Sequence, residues 1–317
     1  MIKATKLFNK SFLISCLGLI ATTMSISTEA SVIKPDGDSI FVPTGEGWGV
    51  KSDHPLPSIK NESIPQHGIF YHGGPVMGTT TATIPNVYYI WYGNWSGNTA
   101  INILTNFASG IGSTTYYNIN TTYTNGNGTP IIRAVNFPKP GIFDHYSHGS
   151  SLSRSTISSI VATAIHSNEL PLDPNGVYFV LTSADVNETS GFCSQYCGWH
   201  SSTRINNTSI KYAFVGNADR CLRSCAAQRT SPNNNPGADG MASVIAHELE
   251  ETVTDPRLNA WYDNNGEENA DKCAWQFGKT QIAPNGSKYN MTVGPNKYLV
   301  QMNWLNANNG MCVNFKL

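Results

Sequence analysis

His247-Glu248-Leu249-Glu250-Glu251 reads H-E-x-x-E, a spacing that can hold a metal ion when the segment is helical. At about 100° per residue, His247 and Glu251 lie only about 40° apart, beside a largely apolar face of Met241, Ile245, Leu249, Thr252 and Val253. An imidazole and a carboxylate then point the same way, and both are zinc ligands. A catalytic zinc takes three protein ligands and keeps one position open. The third is expected from the carboxylate-dense stretch after the helix, where Glu268 follows Glu251 by 17 residues and Asp271 by 20. Glu248, on the edge of the apolar face, would act as general base on an activated water, while Glu250 projects almost opposite the core. A calcium site of Asp255, Asp263, Glu268 and Asp271, built from oxygen ligands alone, competes with this reading, as does a purely solvated turn.

Other candidates carry less chemistry. His67, His72, His145 and His148 fall in loop-like surroundings, and His200, in CGWHSS, reads more simply as a structural histidine in a disulfide-fixed loop than as a ligand. There is no G-x-S-x-G nucleophile motif. Trp91, Tyr92 and Trp95 in WYGNW suit a sugar-stacking platform, although an aromatic cluster at a strand end more often packs in a core.

The helix that must carry His247 runs from Asp239 as N-cap to a stop at Asp255-Pro256. Buried strands are expected over Asn86–Trp91, Val177–Thr182 and Lys211–Val215 from their β-branched and aromatic content. Further strands are expected at Tyr116–Tyr123 and Ile131–Val135, flanking the turn Asn125-Gly126-Asn127-Gly128. Apolar residues at helical spacing mark Asn98–Ile111 and Ser151–His166 as helices. The pattern specifies an α/β fold: one domain with a mixed β-sheet flanked by helices, one of them a zincin-like active-site helix.

Residues 1–30 read as an export signal, with Lys3, Lys6 and Lys10 before the apolar run Phe12–Met24 and a cleavage site near Ala30. That run is too short to span a bilayer, and no later segment is long enough. Residues 31–66, with Pro43, Pro55, Pro57 and Pro65, form an extended Pro-rich leader, and 67–317 form the folded domain. Beyond Cys16 there remain Cys193, Cys197, Cys221, Cys225, Cys273 and Cys312, enough for three disulfides among 15 possible connectivities. Charged residues make up 13% against a usual figure of about 25%, and the net charge of −1 argues against a nucleic-acid partner.

HGG at His72–Gly74, IWYG at Ile90–Gly93, VLTSADVNETSGFCSQYCGWH at Val180–His200, YAFVGNADRCLRSC at Tyr212–Cys225 and GADGMASVIAHELEETVTDP at Gly237–Pro256 resemble the EXORDIUM, or phosphate-induced protein, family. The H-E-x-x-E-x-x-T-D-P helix looks like that of a bacterial branch. The resemblance implies a secreted, wall-associated protein, and it speaks to compartment and fold more than to mechanism. The leading expectation is a secreted zinc-dependent hydrolase, a metallopeptidase of peptide or protein substrates. In it, His247 and Glu251 bind metal with Asp271 or Glu268, and Glu248 is the base. The competing expectation is a non-enzymatic extracellular protein that binds glycans or a surface partner.

Overall fold

The computed structural model describes residues 31–33, 39–41, 68–307 and 309–317. The expected export signal and most of the expected leader lie outside these residues, as does His67. Among the described residues, no helix is long and apolar enough to cross a membrane.

The first strand of the central sheet, β1 (Asn86–Tyr92, NVYYIWY), is buried along nearly its whole length. Such a run, apolar on both faces, belongs in the interior of a parallel sheet covered on both sides. Helix α1 (Ala100–Ile111) follows it, then β2 (Ile142–Asp144), α2 (Arg154–His166), β3 (Gly176–Thr182), β4 (Gly198–Ile205), β5 (Thr208–Gly216) and α3 (Pro236–Thr254). The five strands form one sheet in the order β2-β1-β3-β5-β4. All neighbours pair in parallel except β5 and β4, which form an antiparallel hairpin. Asn206 and Asn207, both at positive φ, make its two-residue turn.

Helix α1 packs against α3, which lies along β4 and β5, while α2 packs on β3 and β5. Neighbouring residues of β4 show the layering. A side chain at Gly198 would meet Val244 of α3, whereas the ring of Trp199 lies 4.7 Å from the Arg154 guanidinium at the start of α2. Successive side chains of a strand point to opposite faces, so α2 and α3 cover opposite sides of β4.

The expected α/β domain with a mixed sheet and flanking helices is therefore present, as are the expected helices and the three buried strands. Two expected strands are not. Tyr117–Thr122 is a 3-10 helix, because the hydroxyls of Thr121 and Thr122 donate back to the carbonyls three residues earlier and favour a tight local turn over a ladder. Ile131–Val135 pairs with no strand; the chain touches the sheet there through a single bridge, Asn86 to Asn136. The expected turn at Asn125 does form, its side-chain oxygen accepting the N–H groups of Asn127 and Thr129.

Helix α3 begins earlier than its sequence suggests. Asn235, rather than Asp239, is the N-cap, accepting the Ala238 N–H, and Pro236 supplies the fixed φ of the first turn. The Asn235 amide also donates to Asn98 and Thr99, tying the start of α3 to that of α1.

The six cysteines among the described residues are all paired. Cys193–Cys221 and Cys197–Cys225 join the loop that enters the β4–β5 hairpin to the loop that leaves it, and Cys273–Cys312 fastens the segment after α3 to the C-terminal hairpin. The last of these closes a separation of 39 residues, for which lost loop entropy in the unfolded chain amounts to about 4 kcal/mol. A Cys273→Ser/Cys312→Ser double variant should therefore unfold at clearly lower urea concentration, by that order of stability, with the far-ultraviolet spectrum retained beforehand.

Candidate metal centre

Helix α3 is buried on every side: each residue from Gly237 to Thr254 is buried. His247, Glu248 and Glu251 leave its sheet-facing side and meet His200 of β4 and the loop carrying Glu268 and Asp271. His200 belongs on this side because it is two residues from Gly198 and shares its face of the strand. Gly198 allows the close approach, since a Cβ there would lie 2.5 Å from Val244, 2.8 Å from the Phe214 carbonyl and 3.1 Å from Glu248 Oε1. The carbonyl belongs to a paired strand and cannot give way, so Gly198→Ala should cost about 1–3 kcal/mol by overpacking, read as a lower urea midpoint at unchanged slope.

Two groups of donors result. His247, Glu251 and Asp271 form one, and His200, Glu248 and Glu251 the other; within each, one ligand atom per residue lies within 4.8 Å of the rest. His247 Nε2 is 2.9 Å from Glu251 Oε1 and 3.3 Å from Asp271 Oδ1. On the far side of the ring, Nδ1 is 3.3 Å from Gln301 Oε1. The Asp271 N–H donates to Glu251 Oε1 at 3.1 Å, and the Glu268 N–H donates to Asp271 Oδ2 at 3.2 Å. His200 Nε2 lies 3.1 Å from Glu268 Oε2 and 3.7 Å from Glu251 Oε2.

The charges do not balance. Glu248, Glu251, Glu268 and Asp271 bring four carboxyls to this space, and the first three are fully buried. Burial, and then the nearby His247, depress His200 to about 3, so it stays neutral. Burial also disfavours a charged His247, but Glu251, with hydrogen bonds to Asp271 and Glu251, outweighs it and raises that ring well above its ordinary value. Glu248 and Glu268 are pushed well above the ordinary carboxyl range by burial, and Glu251 to about 7 by burial and the Asp271 charge. Both oxygens of Glu248, Glu251 Oε2, Glu268 Oε1 and His200 Nδ1 have no hydrogen-bond partner among the described residues. Buried ionised groups are tolerated when paired or metal-bound. A divalent cation would supply the charge that this acceptor-rich space lacks.

Both imidazoles suit zinc; a calcium site is built from oxygen alone. The oxygen-only set is also partly engaged elsewhere. Asp255 Oδ1 accepts the N–H groups of Asn259 and Ala260 beyond the helix, and Asp263 pairs with Lys272 at 2.8 Å.

Of the two candidates for third ligand, Asp271 reaches His247, whereas Glu268 turns to His200. His200 is thus part of the cluster and not merely a structural loop residue; the alternation of Gly198, Trp199 and His200 was the available signal. Glu250 does not project into solvent: it is buried, accepting from the Asn303 amide at 2.8 Å, because the C-terminal segment covers the outer side of α3. His145 and His148 are exposed, and His72 stacks on Tyr262. Trp91, Tyr92 and Trp95 are all buried, so they form core and not a sugar platform.

A small cavity of about 10 Å³, lined by Cys197, Gly198, Val244, His247, Glu248, Trp275 and Gln301, opens on the centre. A second of about 20 Å³ adjoins it through Val244, Trp275 and Gln301 and adds Phe277 and Leu299 to its walls.

These features define a disulfide-braced α/β domain whose central buried helix meets a strand and a loop at a cluster of imidazoles and carboxylates. The chain belongs to the phosphate-induced protein 1 family, whose conserved region matches residues 69–314. It is 32% identical to Protein EXORDIUM-like 5 of Arabidopsis thaliana over 274 residues, covering 74% of each chain. Protein EXORDIUM-like 3 of the same plant is 33% identical over 272 residues, 74% of this chain and 79% of the relative. Protein PHOSPHATE-INDUCED 1 of Nicotiana tabacum is 28% identical over 162 residues, 44% of this chain and 49% of the relative. No solved structure matches.

Proposed function

We propose that the chain is an exported, zinc-dependent hydrolase acting on peptides. The observation that carries this reading is Glu248: a fully buried carboxylate, without a hydrogen-bond partner among the described residues, in the wall of the cavity it shares with His247. His247 Nε2, Glu251 and Asp271 would hold the ion. Gln301 accepts the His247 Nδ1–H and so fixes the tautomer that leaves Nε2 free to bind. Zinc in this position supplies Lewis-acid polarisation of a carbonyl and lowers the pKa of water. Glu248 receives the proton that attack on the carbonyl releases and returns it to the leaving amine. Trp275, Phe277 and Leu299 line the adjoining space, where they shield the centre from bulk water. Three disulfides suit an oxidising compartment outside the cytoplasm.

Chelator-stripped mature protein should gain about 5–10 °C in Tm when zinc reaches roughly 100 times its Kd, given about 2.7 kcal/mol of linkage. The same addition should switch on cleavage of an unstructured peptide mixture. An unchanged Tm together with intact peptides would remove this reading.

A further inference from the structure

We propose that the centre binds two divalent ions, the second held by His200, Glu248 and Glu251, with Glu251 bridging the pair. This rests on the metal reading above and extends it to residues that reading does not use as ligands. The two donor groups share Glu251 and no other residue. Its oxygens have different partners: Oε1 meets His247 and the Asp271 N–H, while Oε2 lies toward His200 without a hydrogen bond. Carboxylates in this position bridge the ions of two-metal hydrolases, which sit about 3.5–4 Å apart.

His200 is prepared as a ligand by its surroundings. Glu268 Oε2 stands 3.1 Å from its Nε2, a carboxylate placed to orient a metal-binding imidazole, and its Nδ1 is buried with no hydrogen-bond partner among the described residues. Glu248 brings two unpartnered oxygens, one for the second ion and the other for the proton taken in the cavity beside His247. Every member of the second group thus offers a buried polar atom with no hydrogen-bond partner among the described residues. The donor set, one imidazole and two carboxylates, suits zinc or manganese better than calcium.

The test is a metal count on chelator-stripped mature protein reloaded with zinc, gel-filtered and analysed by plasma mass spectrometry. We expect two zinc ions per wild-type chain and one in His200→Ala, with matching circular dichroism. Reloading with Mn²⁺ should give an exchange-coupled paramagnetic resonance spectrum in the wild type and the six-line pattern of an isolated ion in the variant. A single ion in the wild type, with an uncoupled Mn²⁺ spectrum, overturns the second site and leaves the first standing, even if the variant fails to fold. No bound ion overturns both.

Discussion

Glu251→Ala should strip the protein of bound metal, weakening zinc affinity by at least about 100-fold and taking hydrolysis with it. The effect is expected to be large because Glu251 stands at the centre of the cluster. It contacts His247 at 2.9 Å, receives the Asp271 N–H at 3.1 Å and faces His200 at 3.7 Å. Its loss removes a ligand and also the acceptor that holds Asp271 against the helix. Glu251→Gln separates these roles, because it keeps the volume and one oxygen while losing the charge; it should hold the loop yet bind zinc weakly. Competition against a chromophoric chelator reads both affinities, and wild-type affinity in Glu251→Ala would show that the ion sits elsewhere.

Glu248→Gln should act differently, lowering kcat by about 10²–10⁴ while the zinc held by His247, Glu251 and Asp271 stays bound and KM changes little. Glutamine keeps the shape and a carbonyl oxygen, but it cannot accept the proton that the reaction releases. The three residues around the first ion are untouched by the change. Steady-state cleavage of a fluorogenic peptide, alongside a zinc assay, separates the outcomes: undiminished kcat in the variant would remove Glu248 as the base.

Much of the fold is legible because the buried strands are continuous apolar runs. NVYYIWY and GVYFVLT can hardly be anything else, and both lie in the sheet. The pairing of His247 with Glu251 is legible too, since four residues of helix bring them together whatever the tertiary context. His200 is not, because its place depends on β4 pairing with β5 through the Asn206-Asn207 turn, a long-range fact that no local period carries. Glu250 misleads for a related reason. An apolar stripe with polar flanks implies a wet outer side, yet here the C-terminal segment covers that side and Asn303 meets the carboxylate. At Tyr117–Thr122 alternation suggests a strand, but threonine hydroxyls bonding to nearby carbonyls select a 3-10 turn. The number of disulfides follows from counting cysteines, whereas their pairing depends on the loops that the hairpin brings face to face.

The central claim, that His247, Glu251 and Asp271 hold a metal ion, is most directly tested by diffraction from crystals of tag-free protein grown with zinc. Data should be collected on both sides of the zinc absorption edge. The account predicts an anomalous peak within about 2.0–2.2 Å of His247 Nε2 and of carboxylate oxygens from Glu251 and Asp271. A zinc-replete crystal without that peak, with the His247 ring still hydrogen-bonded to Glu251, would contradict it.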